Sequence, residues 1–252
     1  MPLPLRRAGV LSAAALSFAL PGMAAAGAPD NAPFDAVLQA RAKNGGFDYA
    51  GATGQDKKRL AAYLANLGDA DPSKMTPDEK KAFYINAYNA AAIETVLSRY
   101  PTKSILDIDG AFKTLPHRIG GEMLTLDAIE NKLREGKDAR IHFAIVCASK
   151  SCPPLASRAY AAAGLSAELD RQGRLFVNDP SKNAIDRVQR KAALSKIFFW
   201  NRKEFERDGG GSLWKEVARF VADRGTSAWV STLTTDPKES DFLEYDWILN
   251  QP

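Results

Sequence analysis

The stretch RIHFAIVCASKSCPPL, residues 140–155, holds both cysteines of the chain and one of its two histidines. Apolar side chains occupy both alternating faces of residues 140–149, a pattern typical of a strand that is covered on both sides. Pro153 and Pro154 lack backbone donors and end the strand, which places Cys147 near its carboxyl end. We therefore predict a central strand here, in an α+β fold with a small central sheet flanked by helices.

The clearest helix signals lie upstream, in TPDEKKAFYINAYNAAAIETVLSRYP, residues 76–101. Thr76 is a suitable N-cap, Pro77 suits the first helical position, and Glu79 completes a capping box. Pro101 lies beyond the predicted end. These signals predict a long, buried helix.

Other elements are predicted from local signals. They are helices near residues 32–42 and 56–67, a hairpin turning at Gly120-Gly121, a helix capped by Thr125, helices within residues 166–180 and 211–224, and a last strand at residues 242–250. Four aromatic residues are predicted to pack in the core: Phe198, Phe199, Trp200 and Phe205. No internal repeat or long linker divides the chain, so we predict a single domain with residues 27–75 as a helical cover.

Residues 1–26 have the layout of a secretory signal peptide. Two arginines precede an apolar run over residues 8–20, and Ala24 and Ala26 form an Ala-x-Ala cleavage site. The apolar run is shorter than the roughly 20 residues that span a bilayer. We expect a mature chain that begins at Gly27 and is periplasmic or secreted.

The charge of this mature chain argues against a nucleic-acid partner. The full chain has 34 Lys and Arg residues against 30 Asp and Glu residues, a net charge of +4, and removal of two arginines leaves +2. The basic residues are interspersed with acidic ones, as on an ordinary solvated surface. No later segment is apolar enough to span a membrane. We expect a small-molecule or peptide ligand.

The predicted long helix carries amides on its apolar face. Asn86 shares a stripe with Phe83, Ala90 and Ile93, and Asn89 lies at the edge of that stripe. A buried amide without partners costs about 1–3 kcal/mol. Asn86 therefore either ties the helix to a neighbouring loop or lines a pocket and orients a reacting group.

The predicted strand separates Cys147 from the nearer histidine. His142 and Cys147 are an odd number of positions apart and would point to opposite faces, about 16 Å apart along an extended strand. This spacing predicts a core or pocket-lining His142. It leaves His117 as the candidate base for Cys147.

The two cysteines allow three states. Four residues separate Cys147 from Cys152, and in an exported chain the two would form a disulfide. Alternatively, Cys147 is reactive with Cys152 as a structural or resolving thiol, or both are buried, unpaired thiols. Two histidines and two cysteines at these spacings match no zinc pattern, and we expect neither a metal nor a cofactor.

Five ordered blocks resemble the family called DUF547, a domain of unknown function, in an exported bacterial member. They are FYINAYNAAAI, GGEMLTLDAIENKLR, RIHFAIVCASKSCPPL, LSKIFFWNRKEF and YDWILN. The resemblance covers about residues 76–250. It implies a cysteine-dependent, papain- or transglutaminase-like chemistry.

The resemblance also implies site residues. The positions that match its pattern are Asn86, Asn89, Arg140, His142, Cys147, Cys152, Tyr245, Asp246 and Trp247. At the position after Ile-Glu, where many members have a histidine, this chain has Asn131. If that histidine is the base in the family, His117 must substitute for it here.

Two functions from different classes follow. In the first, the protein is a thiol-dependent hydrolase or acyl transferase that acts on an amide, ester or thioester. Cys147 would be its nucleophile, Asn86 or a backbone amide would polarise the carbonyl, and His117 or a carboxylate would be the base. In the second, it is a noncatalytic module in which a Cys147–Cys152 disulfide stiffens a loop that binds a ligand or partner.

Overall fold

The computed structural model describes residues 27–252, which form nine α-helices and seven short strands. The helices are α1 (Ala32–Arg41), α2 (Gly54–Asp69), α3 (Pro77–Arg99), α4 (Leu126–Arg134), α5 (Leu165–Val177), α6 (Lys196–Trp200), α7 (Arg202–Asp208), α8 (Leu213–Ala218) and α9 (Arg224–Ser231). The strands are β1 (Ala42–Lys43), β2 (Gly46–Phe47), β3 (His117–Ile119), β4 (Glu122–Leu124), β5 (Ala184–Asp186), β6 (Lys191–Ser195) and β7 (Phe242–Leu243). This mixture of helices and strands confirms the α+β class.

The predicted signal peptide, residues 1–26, lies outside the described residues. Export and cleavage before Gly27 therefore stay predictions. Within residues 27–252, no helix is both long and apolar enough to cross a membrane.

The long helix forms as its signals predict. The Thr76 side chain accepts from the Glu79 amide, and the Glu79 side chain accepts from the Thr76 amide at 2.8 Å. Residues 82–93 of α3 are buried without interruption, so the helix is surrounded by protein on all sides. It is the central element against which α2 and α4 pack.

The predicted hairpin and the helix after it are also present. Strands β3 and β4 pair in antiparallel register around Gly120 and Gly121, whose φ angles are +60° and +80°. Two positive φ angles define a type I′ turn, which glycine adopts without steric cost. Thr125 caps α4 by accepting from the Ala128 amide at 3.2 Å.

The prediction of a central strand over residues 140–149 is wrong. Residues Ala139–Phe143 form a 3-10 helix, and residues 145–147 have no regular structure. The sheets are small and separate: β1–β2, β3–β4 and β5–β6–β7. The last strand is also shorter than predicted, because only Phe242–Leu243 pair with β6 and later residues make isolated bridges.

Buried side chains explain why residues 140–149 need no strand partners. Asp138 starts the 3-10 helix by accepting from the Arg140 amide at 3.1 Å. Asn89 on α3 then pairs with the carbonyl of Ala144 and the amide of Val146. A buried backbone group must be paired, but a side chain serves as well as a strand.

The apolar side chains form two clusters joined by this segment. Ile141 and Ala144 belong to the cluster around α1–α4, whereas Ala139 and Phe143 belong to the cluster around the end of α5 and helices α6–α9. The Phe143 ring lies 5.1–5.9 Å from four phenylalanine rings of the second cluster. The 3-10 helix therefore holds the two clusters together in one domain.

The predicted aromatic core is confirmed for two of its four residues. Phe198 and Phe205 are fully buried, and Phe199 packs at the edge of the second cluster. Trp200, however, is 47% exposed. Placing Trp200 in the core is therefore wrong.

Asp138 should make the stability of the fold depend on pH. Burial raises the pKa of Asp138, but hydrogen bonds from Arg140 and Lys81 outweigh burial and lower it to about 2. A depressed carboxyl pKa stabilises the fold above the unfolded pKa of about 3.9 and loses that contribution as pH falls towards 2. Replacing Asp138 with Asn should lower the free energy of unfolding at pH 7 by about 2 kcal/mol.

Denaturant titrations of both proteins between pH 7 and pH 2 check this expectation. The difference between wild type and Asp138→Asn should shrink over the acidic part of the range. A difference that stays constant down to pH 2 would contradict the assignment.

Candidate functional site

A cavity of about 300 Å³ lies between the two apolar clusters. Its walls come from distant parts of the chain: α3, α4, the segment around Cys147, α6 with the residue after it, and the carboxyl-terminal segment. The lining residues are Tyr88, Phe112, Lys113, Asp127, Glu130, Arg134, His142, Ile145, Cys147, Ile197, Trp200, Asn201, Tyr245 and Trp247. Both Cys147 and His142 line this cavity, although the predicted strand would have placed them on opposite faces.

The Cys147 thiol belongs to a cluster of four polar side chains. Its Sγ lies 3.2 Å from Tyr245 Oη and 3.5 Å from Ser149 Oγ. Cys152 Sγ lies 3.2 Å from Ser149 Oγ and 3.3 Å from Tyr245 Oη. The Cys147 amide donates to Cys152 Sγ at 3.0 Å. Two sulfurs therefore share the same hydroxyl partners.

The structure does not contain the predicted disulfide. Cys147 and Cys152 are free thiols, and they are not at bonding distance. The reason is geometric: Ala148 adopts a left-handed conformation with φ +64°, and the turn it starts directs Cys152 Sγ to the Cys147 amide. A non-glycine residue in this region is uncommon and often marks a functional turn.

His142 is held between two carboxylates on another wall of the cavity. Its Nε2 lies 3.1 Å from Glu204 Oε2 on α7, and its Nδ1 lies 3.8 Å from Glu130 Oε1 on α4. Arg134 contacts both carboxylates and also donates to Asn201 Oδ1 at 2.6 Å. The imidazole is therefore fixed in position by charged neighbours.

This network keeps Glu204 ionised. Burial raises the pKa of Glu204, but the hydrogen bond from His142 and the charges of His142 and Arg134 outweigh burial and lower it. An ionised carboxylate can orient an imidazole and stabilise its protonated form. Asp127, on the same wall, differs because burial and the charge of Glu130 raise its pKa.

The two asparagines of α3 each form two hydrogen bonds with backbone groups of another segment. Asn89 Nδ2 donates to the Ala144 carbonyl at 2.9 Å, and Asn89 Oδ1 accepts from the Val146 amide at 2.8 Å. Asn86 makes the same pair of bonds to Tyr160, both at 2.8 Å. Neither asparagine lines the cavity, so both position other segments, and Asn89 positions the residue next to Cys147.

Two predicted site residues lie elsewhere. His117, the candidate base, lines no part of the cavity, and its Nε2 lies 3.3 Å from Thr95 Oγ1. Asn131 is exposed on α4 and does not line the cavity either. The structure therefore does not bring His117 or Asn131 to Cys147.

Sequence reasoning missed several residues of the site. Glu130 and Arg134 lie four residues apart on α4, a spacing that places them on one helix face and was visible in the sequence. Glu204 had no such signal, because its partner His142 is 62 positions away. Tyr245 and Trp247 were found only through the family resemblance.

The residues that the structure describes offer no evident metal site. Within residues 27–252, no group of three or more His, Cys, Asp or Glu side chains is arranged to hold a metal ion.

Part of the chain matches a known protein family. Residues 72–177 match the family model described as "Protein of unknown function, DUF547". The chain is therefore similar to the DUF547 family over residues 72–177, somewhat less than half of its length. No curated protein and no solved structure matches the chain.

The DUF547 match contains one part of the cavity and leaves out another. His142, Cys147 and Cys152 lie within the match, together with Asn89. The residues from α6 onwards lie beyond it, although the family resemblance of the sequence extends to residue 250. Residues beyond the DUF547 match supply Glu204, which contacts His142, and Tyr245, which contacts both thiols.

Replacing Asn89 with Leu should disturb the cavity, whereas the same change at Asn86 should not. Each substitution leaves a buried carbonyl and a buried amide unpaired, at about 1–3 kcal/mol for each group. Both variants should therefore lose stability in denaturant titrations.

Two-dimensional amide NMR spectra distinguish the two variants. Asn89→Leu should move the signals of residues 144–147, and Asn86→Leu should move those around Tyr160. Unchanged signals at residues 144–147 in a folded Asn89→Leu variant would show that Asn89 does not hold this segment.

Proposed function

We propose that this chain is a thiol-dependent hydrolase or acyl transferase that acts on an amide, ester or thioester. Cys147 is the nucleophile, and His142, oriented by Glu204, exchanges protons with the leaving group and the incoming acceptor. One observation carries the proposal: the Cys147 thiol and the carboxylate-bound His142 line one cavity.

Cys147 supplies the covalent chemistry. Its sulfur attacks the carbonyl carbon of a substrate in the cavity, which forms an S–C bond and moves an electron pair onto the carbonyl oxygen. Collapse of this tetrahedral intermediate breaks the bond to the leaving group and leaves a thioester on Cys147. Water or a second nucleophile then attacks the thioester and releases the acyl group.

His142 supplies the proton transfers at the substrate. When the imidazole is neutral and donates from Nε2 to Glu204, its Nδ1 keeps a lone pair. Glu130 Oε1 lies 3.8 Å from Nδ1, too far for a hydrogen bond. The imidazole can therefore take a proton from an attacking acceptor and give one to a leaving amine, alcohol or thiol.

The shape and lining of the cavity support a small acyl substrate. A volume of about 300 Å³ is at the lower end of the range for ligand sites. Trp200, Tyr245 and Trp247 form one wall, with ring centroids 4.7–6.0 Å apart. An apolar acyl group or the end of a peptide fits this wall, and the charged residues around His142 face its polar end.

A binding module without chemistry is the competing hypothesis. Its sequence-based form relied on a Cys147–Cys152 disulfide, and both thiols are free in the structure. Reversible ligand binding in the same cavity without a covalent intermediate would favour it.

Activated esters and thioesters should acylate Cys147. We expect a mass increase equal to the acyl group after short incubation and acid quenching, located at Cys147 by peptide mapping and removed by hydroxylamine. Cys147→Ala should abolish this increase. His142→Gln should lower the overall turnover of the esters by about 10²–10⁴-fold, because a general acid–base group contributes that much.

The other histidine provides a matched control. His117→Gln should leave turnover unchanged, because His117 does not line the cavity. No covalent adduct on wild type with any of these substrates, or an equal loss for both histidine variants, would overturn the proposal.

A further inference from the structure

The three polar side chains clustered with Cys147, those of Ser149, Cys152 and Tyr245, bear on how its thiol loses a proton. No hydrogen bond joins His142 to Cys147 in the described residues, so the imidazole is not placed to deprotonate the sulfur directly. The groups that contact Cys147 Sγ are Ser149 Oγ and Tyr245 Oη, and both also contact Cys152 Sγ. Among Ser149, Tyr245 and Cys152, only the second cysteine ionises near neutral pH.

Cys152 is the better-stabilised sulfur of the pair. Its Sγ accepts a hydrogen bond from the Cys147 backbone amide, which can act only as a donor. It also lies within 3.3 Å of the Ser149 and Tyr245 hydroxyl oxygens. Cys147 Sγ has the same two hydroxyls but no backbone donor. Hydrogen bonds to an ionised sulfur favour its charge.

The pKa values of the two thiols shift in opposite directions. Burial raises the pKa of Cys152, but hydrogen bonds from Cys147, Ser149 and Tyr245 outweigh burial and lower it. The neighbouring Cys152 side chain, followed by burial, raises the pKa of Cys147 well above its ordinary value. Cys152 is buried and Cys147 is partly buried. Two sulfurs so close together cannot both be charged, so the first ionisation leaves one shared proton between them.

We propose that Cys152 is the internal proton acceptor of Cys147, an inference that rests on the proposed function. As Cys147 Sγ attacks a carbonyl carbon, its S–H proton passes to the thiolate of Cys152 by way of the hydroxyls that contact both sulfurs, and the new thioester carries no charge on sulfur. When the acyl group leaves, Cys147 departs as a thiolate and takes the proton back from Cys152. No other acid or base is consumed at the sulfurs.

Tyr245 allows the charge to move between the sulfurs. Its hydroxyl accepts from Ser149 Oγ at 2.9 Å, which leaves its own proton for one of the two sulfurs. The two sulfurs lie at nearly equal distances from it, 3.2 Å and 3.3 Å. Burial, followed by the neighbouring thiols, raises the pKa of Tyr245, so it stays a donor. It can donate to whichever sulfur carries the charge.

This assignment gives His142 and Cys152 separate roles. Cys152 accepts the proton of the nucleophile. His142 donates a proton to the leaving group and takes one from the attacking acceptor. Cys152 lines no part of the cavity that Cys147 faces, so it acts through Cys147 and is a positioning and proton-storing residue.

The pH dependence of Cys147 alkylation by iodoacetamide tests the inference without requiring turnover. The wild-type rate should rise with a midpoint below the ordinary thiol pKa of about 8.5. In Cys152→Ala, Cys147 is a lone, partly buried thiol, and its midpoint should move above about 8.5. Its alkylation rate at pH 7 should fall by about tenfold or more, since each unit of pKa changes the thiolate fraction tenfold.

Ser149→Ala is the matched control, because it removes a shared hydroxyl but keeps both sulfurs. Its midpoint should stay below about 8.5. Adducts are assigned to Cys147 by peptide mapping, and Cys152→Ser provides a second variant if Cys152→Ala does not fold.

A wild-type midpoint at or above about 8.5 overturns the inference without any variant. So does a Cys152 variant with the wild-type midpoint and rate. Failure of the proposed function looks different: wild type would show the low midpoint and its dependence on Cys152, but no ester would acylate Cys147.

Discussion

The site depends on two hydrogen bonds that one buried side-chain amide makes, one as donor and one as acceptor. Asn89 on the central helix α3 binds the carbonyl of Ala144 and the amide of Val146. These bonds pair backbone groups that have no strand or helix partner, and they hold the segment that ends at Cys147. Without them, the buried carbonyl and amide would each cost about 1–3 kcal/mol, and the segment would have to find another conformation.

Around this segment the chain brings together groups that are far apart in sequence. The 3-10 helix Ala139–Phe143 contributes side chains to both apolar clusters, and the cavity lies where the clusters meet. One cluster carries α4 with Glu130, and the other carries α7 with Glu204. His142, between them, is therefore fixed by the same packing that joins the two halves of the domain.

The sequence predicted the features that local signals control. The capping box at Thr76 and the glycine pair at 120–121 each act over a few residues, and both elements formed as predicted. The central strand failed because an apolar run looks the same whether strands or side chains satisfy its backbone. The error concealed that His142 shares a cavity with Cys147. The partnership with Glu204 spans 62 positions and has no local signal.

Amide hydrogen exchange at Val146 tests the central claim most directly. Val146 belongs to no helix or strand, yet its amide donates to a buried side chain. Its exchange should therefore require the same opening as the middle of α3, with a protection close to that of the Ala90 amide. Exchange as fast as that of an exposed amide would contradict the account, because Asn89 would then not hold the segment that carries Cys147.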